Sequence, residues 1–187
     1  AFIDSLHTKR MNESGRLAWC LLLATVPAAL AGLLFNQLLS FYLRSSLVIA
    51  FTTISFGLLM WVADRYGDKR EELHSLTLNQ ALLIGLAQAL ALIPGTSRSG
   101  ITMTALLLGL KPQAAARFSF LLSIPIILMA GGYEGMKLLN SAAVVEWRQV
   151  ILGMGISFLS ALLVIHLFLK LLAHVGLWPF VLYRLAL

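Results

Sequence analysis

The sequence predicts an all-α fold: a polytopic integral membrane helical bundle carrying one re-entrant helix hairpin. Three observations lead there. The chain of 187 residues is 59% hydrophobic and only 12% charged, where soluble domains carry about 25% charge, and its mean hydropathy is +0.88. Its apolar residues gather into runs long enough for a ~30 Å hydrocarbon core. One stretch, "QALALIPGTSRSGITMTALLLG", breaks the pattern by placing Pro94, glycines, serines, threonines and Arg98 between two short apolar halves.

Each element follows in order. Leu17 to Leu39 is a full span, with Pro27 and Gly32 inside it, which membrane helices tolerate where neighbours re-satisfy the backbone. Arg44 marks a short loop. Ser46 to Ala63 is a second span, ending near Trp61, an interface residue. Asp64 to His74, "DRYGDKREELH", is a charged, solvated loop. The region 78–110 is divided: Leu78 to Ile93 contains Gln80 and Gln88, and Ile101 to Leu110 is the second half. At a ~1.5 Å rise per residue neither half comfortably crosses the bilayer. Lys111 and Pro112 end that half, since proline suits a first helical turn. Phe118 to Leu139 is a span loosened at Pro125, "NSAAVVEWR" is a polar connection, and Val150 to Leu172 is a further span. His174 to Leu187 begins a last one. The polar start at Ala1 and the short apolar end both read as places where a longer chain continues. The whole of 1–187 is expected to form a single transmembrane domain.

The charges orient it. If 78–110 enters and leaves on one side, that side holds Lys9, Arg10, Arg16, Arg65, Lys69, Arg70, Lys111, Arg117 and Lys170, and the other holds Arg44, Lys137 and Arg148. The richer side is expected to be cytoplasmic. A single crossing by 78–110 would weaken the asymmetry. The net charge of +6 is thereby explained as anchoring; the basic residues form no stripe, so a nucleic-acid partner is not expected. One cysteine, Cys20, excludes a disulfide within the chain. The first apolar run starts too late and runs too long for a signal peptide.

The divided region carries the chemistry. Exposed backbone at membrane depth survives only against protein or water, and discontinuous helices of this kind mark binding sites near the midplane. Ser99 and Gly100 open the second half-helix, whose first amides present partial positive charge. Arg98 adds a full charge and a planar fork of donors; an arginine at this depth is a functional candidate by default. Thr96, Ser97, Ser99 and Thr102 add hydroxyls, and Gly95 and Gly100 admit a ligand close to the backbone. The set donates and holds no carboxylate, so phosphate or pyrophosphate is the natural guest. "GTSRSGIT" also approximates a nucleotide phosphate loop, but Ile101 stands where that loop needs lysine, and no strand precedes it. His166 is read as packing against a neighbouring helix, Glu134 as interfacial, and Gly131 with Gly135 as a small-residue packing face. His7 and His74 fall in loops. No cluster has the spacing of a protein-built metal site.

"GLAQALALIPGTSRSGITMTALLLG", then "AAARFSFLLSIP" and "PFVLYRLAL", closely resemble the bacterial undecaprenyl pyrophosphate phosphatase family, the bacitracin-resistance type. The Pro-Gly-x-Ser-Arg-Ser-Gly-x-Thr signature is matched at Pro94, Gly95, Ser97, Arg98, Ser99, Gly100 and Thr102. The resemblance implies a fold like inverted-repeat transporters, with two re-entrant hairpins. It implies hydrolysis of undecaprenyl pyrophosphate to undecaprenyl phosphate and phosphate in the bacterial inner membrane, for peptidoglycan synthesis. It also implies a divalent cation, magnesium or calcium, which would arrive with the pyrophosphate. The family's glutamate-rich motif, ending in Ser-Ser-x-Gly-His, is not found in this sequence. The chain is thus expected to hold the second repeat and part of the first, and to need the missing N-terminal repeat segment for hydrolysis.

On this reading Arg98, Ser97 and Ser99 are the candidate catalytic residues. Gly95, Thr96, Gly100, Thr102 and Gln88 are the candidate substrate contacts, Gln88 as a polar contact and not a base. The expected partners are the polyprenyl pyrophosphate lipid, membrane lipids and a second copy of the chain as a homodimer. A transporter or flippase of a phosphorylated lipid is the competing reading; phosphate release from a purified diphosphate lipid separates the two.

Overall fold

The computed structural model describes residues 13–42, 45–140 and 146–187. Lys9, Arg10 and Arg44 of the charge count lie outside them, as do His7 and residues 141–145 of the polar connection. Seven α-helices are described: α1 (Glu13–Tyr42), α2 (Ser46–Tyr66), α3 (Leu78–Leu90), α4 (Ser99–Leu107), α5 (Pro112–Asn140), α6 (Trp147–Val175) and α7 (Trp178–Ala186). Among the described residues no strand forms, and four helices, α1, α2, α5 and α6, are long and apolar enough to cross a membrane. The fold is a polytopic membrane helical bundle.

The helix ends follow local chemistry. Ser45 caps α2, its hydroxyl accepting from Val48 N at 3.2 Å. Thr77 caps α3 in a reciprocal box with Gln80. Pro112 opens α5, where a missing N–H costs nothing. α3 stops at Leu90, short of the expected Ile93, because Pro94 disfavours helical backbone in the residue before it. α5 begins at Pro112, six residues before the apolar run, and runs through Pro125. In the last segment α7 has nine described residues, with proline in its first turn.

The tightest packing joins α1 to α3. Cys20, Ala24 and Ala28 repeat every fourth residue on α1 and are buried, opposite Ala81, Ile84 and Gly85 on α3. Small residues let membrane helices approach closely, and here they do: a Cβ built on Gly85 would lie 2.6 Å from Ala24 Cα. The core continues through Leu76, Ile101, Leu106, Leu110, Phe118 and Leu122 to Leu172 of α6 and Leu177 beside α7. α6 otherwise stays largely outside it. His166, expected to pack, is exposed, and Gly131 and Gly135, expected as a packing face, meet nothing within 4 Å.

Candidate diphosphate site

α3, the turn 91–98 and α4 form a helix–loop–helix whose two ends are tied together. Arg70 N and Glu71 N both donate to Gly109 O, at 3.0 and 2.9 Å, and Lys111 N donates to Glu71 O at 2.9 Å. Gln80 Nε2 reaches Leu108 O at 3.4 Å, and Lys111 Nζ pairs with a carboxylate oxygen of Glu72. This closed mouth lies beside the C-terminal end of α2, where a Cβ on Gly67 would meet Leu106 O at 2.7 Å. The tip lies far along the same helix. Thr52 Oγ1 is 2.6 Å from Pro94 O and Thr53 Oγ1 is 3.4 Å from Gly95 O. Thr52 stands fourteen residues before Tyr66, about 21 Å along the axis. The hairpin therefore runs deep alongside a membrane-length helix, and its chain returns to the level at which it entered.

The charges sort along that axis. Arg65, Lys69, Arg70 and Lys111 surround the mouth, and Arg117 and His74 act on Glu72 there. Lys137 lies in the last turn of α5 and Arg148 in the first turn of α6. The Glu72 carboxyl is held below its ordinary pKa because Lys111 donates a hydrogen bond to it and adds its charge.

The tip is strained, and the strain is held. Gly95 has φ +91°, and a side chain there would collide with Thr52 Oγ1 and the Ile49 carbonyl. Ser97 has φ +54°, a conformation that costs a non-glycine residue about 1–2 kcal/mol and persists only when its surroundings over-determine it. Arg184 of α7 supplies much of that restraint. Its Nη1 donates to Ser99 Oγ at 2.6 Å and to Thr96 O at 3.3 Å, and its Nη2 donates to Gly95 O and to Thr96 O. Ser99 Oγ in turn donates to Thr96 O at 2.5 Å. α7 packs on α2 at Gly57, where a Cβ would lie in ordinary contact, 3.6 Å from Arg184 Cβ.

On the other side of the tip is a cavity of about 560 Å³ between α1, the hairpin and α5. Its polar lining is Gln88, Ser97, Arg98, Ser123, Tyr133 and Glu134; Ala28, Gly32, Leu92 and Ile127 are among its apolar walls. Arg98 stands 5.7 Å over the Phe120 ring, and among the described residues no carboxylate pairs with it. Gln88 is 5% exposed and its Oε1 has no hydrogen-bond partner among the described residues. Gln88 lines the cavity all the same.

The structure brings together part of the set read from sequence. Arg98, Ser97 and Gln88 face one cavity. Ser99 does not line it; its hydroxyl is engaged by Arg184 and Thr96 O. Thr96 is fully buried, Thr102 Oγ1 lies 3.5 Å from Arg98 O, and Gly100 packs near Phe56 and Ala87. Gly95 shapes the tip. Glu134, read as interfacial, lines the cavity and pairs with Lys137 at 3.1 Å. Arg184, Thr52 and Thr53 were not singled out from the sequence. Arg184 had a readable signal, a lone cation in an apolar segment, which is the argument that marks Arg98.

A divalent cation does not fit these residues as a protein-built site. Among the described residues no group of three His, Cys, Asp or Glu side chains converges, and the one carboxylate at the cavity is already paired.

Comparison with known proteins gives this arrangement its relatives. The family model described as "Bacitracin resistance protein BacA" matches residues 1–187. The chain belongs to this family. A Teredinibacter turnerae protein named undecaprenyl-diphosphatase is 54% identical over 187 residues, covering 100% of this chain and 71% of the relative. A Chromohalobacter salexigens protein of the same name is 56% identical over 177 residues, covering 94% of this chain and 67% of the relative. A third, from Saccharophagus degradans, is 54% identical over 181 residues, covering 96% and 68%. In this BacA-family chain, then, the signature loop is the tip of a clamped hairpin, and its arginine faces a cavity that is apolar on most sides.

Proposed function

We propose that this protein is an undecaprenyl-diphosphatase that removes the terminal phosphate of undecaprenyl pyrophosphate during recycling of the lipid carrier for peptidoglycan synthesis. The observation that carries the reading is Arg98: a guanidinium with no carboxylate partner among the described residues, on a largely apolar cavity, at the tip of a polar loop some 21 Å along a membrane-length helix. A polyprenyl diphosphate matches both halves of that cavity, its head group meeting Arg98, Ser97 and Gln88 and its tail lying against Ala28, Gly32 and Ile127.

Phosphoryl transfer calls mainly for alignment and charge stabilisation. Arg98 neutralises the diphosphate and the charge that develops on the leaving phosphate. The N–H groups of Ser99 and Gly100, which have no intrahelical acceptor in the first turn of α4, add to that field. Among the described residues no imidazole or carboxylate is hydrogen-bonded to Ser97, so nothing there activates its hydroxyl as a nucleophile. The reading assigns the attack to water or to a serine outside these residues. Water cleaves the anhydride bond, giving undecaprenyl phosphate and inorganic phosphate. Any magnesium or calcium requirement would be met through the substrate and not through a site built from these residues. The inner membrane is the proposed location, with the basic hairpin mouth toward the cytoplasm.

The test is phosphate release from purified undecaprenyl pyrophosphate by the full-length protein in detergent. Arg98→Ala is expected to raise the barrier by about 3–4 kcal/mol, the scale of a lost donor aimed at developing charge. Near-normal turnover in that variant ends the assignment. Absence of phosphate release by the wild type, with binding intact, transfers the site to a carrier of phosphorylated lipid.

A further inference from the structure

We propose that Arg184 is a positioning residue for this site: from behind the hairpin tip it fixes which way the Thr96–Ser97 peptide faces, and so keeps an N–H, not a carbonyl, toward the diphosphate. The inference rests on the phosphatase reading above.

Arg184 and Arg98 occupy opposite sides of the same tip. Arg98 and Ser97 line the cavity. Arg184 approaches from α7 and gathers acceptors: the carbonyls of Gly95 and Thr96 and the hydroxyl of Ser99. In a trans peptide the N–H points opposite to the C=O, and the chain has no cis bonds among its described residues. With Thr96 O held toward Arg184, the Ser97 N–H points away from it. The equivalent N–H of Thr96 is already engaged, donating to Ile93 O at 3.2 Å. Ser97 is therefore the residue whose amide the clamp sets free.

The left-handed backbone of Ser97 shows that this orientation is imposed. Rotation of the Thr96–Ser97 peptide would relieve it and would turn a carbonyl lone pair toward the anion. The threonines of α2 restrain the tip upstream, at Pro94 O and Gly95 O. The hydrogen bonds on Thr96 O come from Arg184 and from Ser99, whose hydroxyl Arg184 itself holds. A planar fork spans these acceptors; an ammonium, being a point charge, does not.

The experiment compares wild type, Arg184→Ala and Arg184→Lys as full-length proteins in detergent, on undecaprenyl pyrophosphate. The clamp predicts a kcat about 100-fold lower for Arg184→Ala with KM close to wild type, because Arg98 and the tail contacts remain. It predicts a clear loss in Arg184→Lys as well, and partial recovery of the alanine variant by methylguanidinium. Unchanged kcat in the alanine variant, full activity in the lysine variant, or a loss that follows the melting temperature without guanidinium recovery overturns the inference.

If the wild type itself releases no phosphate, the phosphatase reading fails separately. The clamp is then read by amide hydrogen exchange at residues 96–99 with inorganic pyrophosphate. Protection in the wild type that Arg184→Ala loses supports it; equal protection, or none in either, overturns it.

Discussion

Two ends of this bundle are built from the same kinds of residue and behave differently. At the hairpin, Ala24 of α1 and Gly85 of α3 press backbone against backbone, so that even one methyl group would not fit. On the far half of α5 and along α6, Gly131, Gly132, Gly135, Gly153 and Gly155 have nothing within 4 Å of where a Cβ would stand. Leucines and isoleucines there, such as Leu128, Ile151 and Leu163, are 61–70% exposed. Apolar character is shared by both ends, because a membrane helix is apolar toward lipid and toward protein alike. What distinguishes the hairpin end is that its polar groups are tied to each other, from the clasp at Glu71 and Lys111 to the clamp at Arg184.

The widest gap between the two ends is expected from the same substitution made in each. Gly85→Ala places a methyl against the Ala24 backbone and is expected to destabilise the protein by about 3 kcal/mol, at the upper end of overpacking costs. Gly131→Ala meets open space, and the better helix propensity of alanine is expected to leave stability unchanged or raised by up to about 1 kcal/mol. Thermal unfolding of the full-length protein in detergent checks both. Equal destabilisation at the two positions would mean that α5 is closed by a partner as tightly as α3 is by α1.

A smaller loss is expected at the tip. Gly95→Ala puts a side chain on a residue at φ +91° and into Thr52 and Ile49. The backbone conformation alone costs an L-residue about 1–2 kcal/mol. Phosphate release is expected to fall more steeply than melting temperature, because the tip can relax away from α2 without unfolding the bundle. A variant of normal activity would show that the tip need not touch α2.

How much of this was legible beforehand follows from the same contrast. The four long helices were legible because a hydrocarbon core of fixed thickness demands runs of fixed length. Arg98, Ser97 and Gln88 were legible because polar groups in such runs need a reason. The separate fates of Ser97 and Ser99 were not. They stand two residues apart in one polar loop, and the partner that engages the Ser99 hydroxyl, Arg184, lies 85 residues downstream. Gly131 and Gly135 failed for a related cause. Their spacing is that of a packing face, like Ala81 and Gly85, and spacing carries no information on whether a second helix arrives.

At the border between packed and open halves stands Phe120, beneath Arg98 and edge-on to Phe168 of α6 with centroids 5.5 Å apart. Phe120→Leu keeps apolar bulk and removes the ring face. The expected loss is about 0.5–1 kcal/mol of cation–π attraction, seen as a two- to fivefold lower kcat/KM. An unchanged value would leave Arg98 oriented by its backbone alone.

The smallest effect is expected at the clasp. Glu72 is held below its usual pKa by Lys111, which donates a hydrogen bond to it. A carboxylate with a depressed folded-state pKa adds stability that is fully present above its unfolded pKa and is lost as pH falls through the folded value. The pair is exposed, so water and salt screen it. Thermal melting is therefore expected to drop slightly on acidification in the wild type, and that component is expected to vanish in Glu72→Gln and to shrink at high salt. The backbone bonds between Glu71, Gly109 and Lys111 remain in the variant, so the mouth should stay closed. If Glu72→Gln instead unfolds the hairpin, the ion pair and not the backbone ladder holds the two ends together, and the packed end owes its order to one exposed contact.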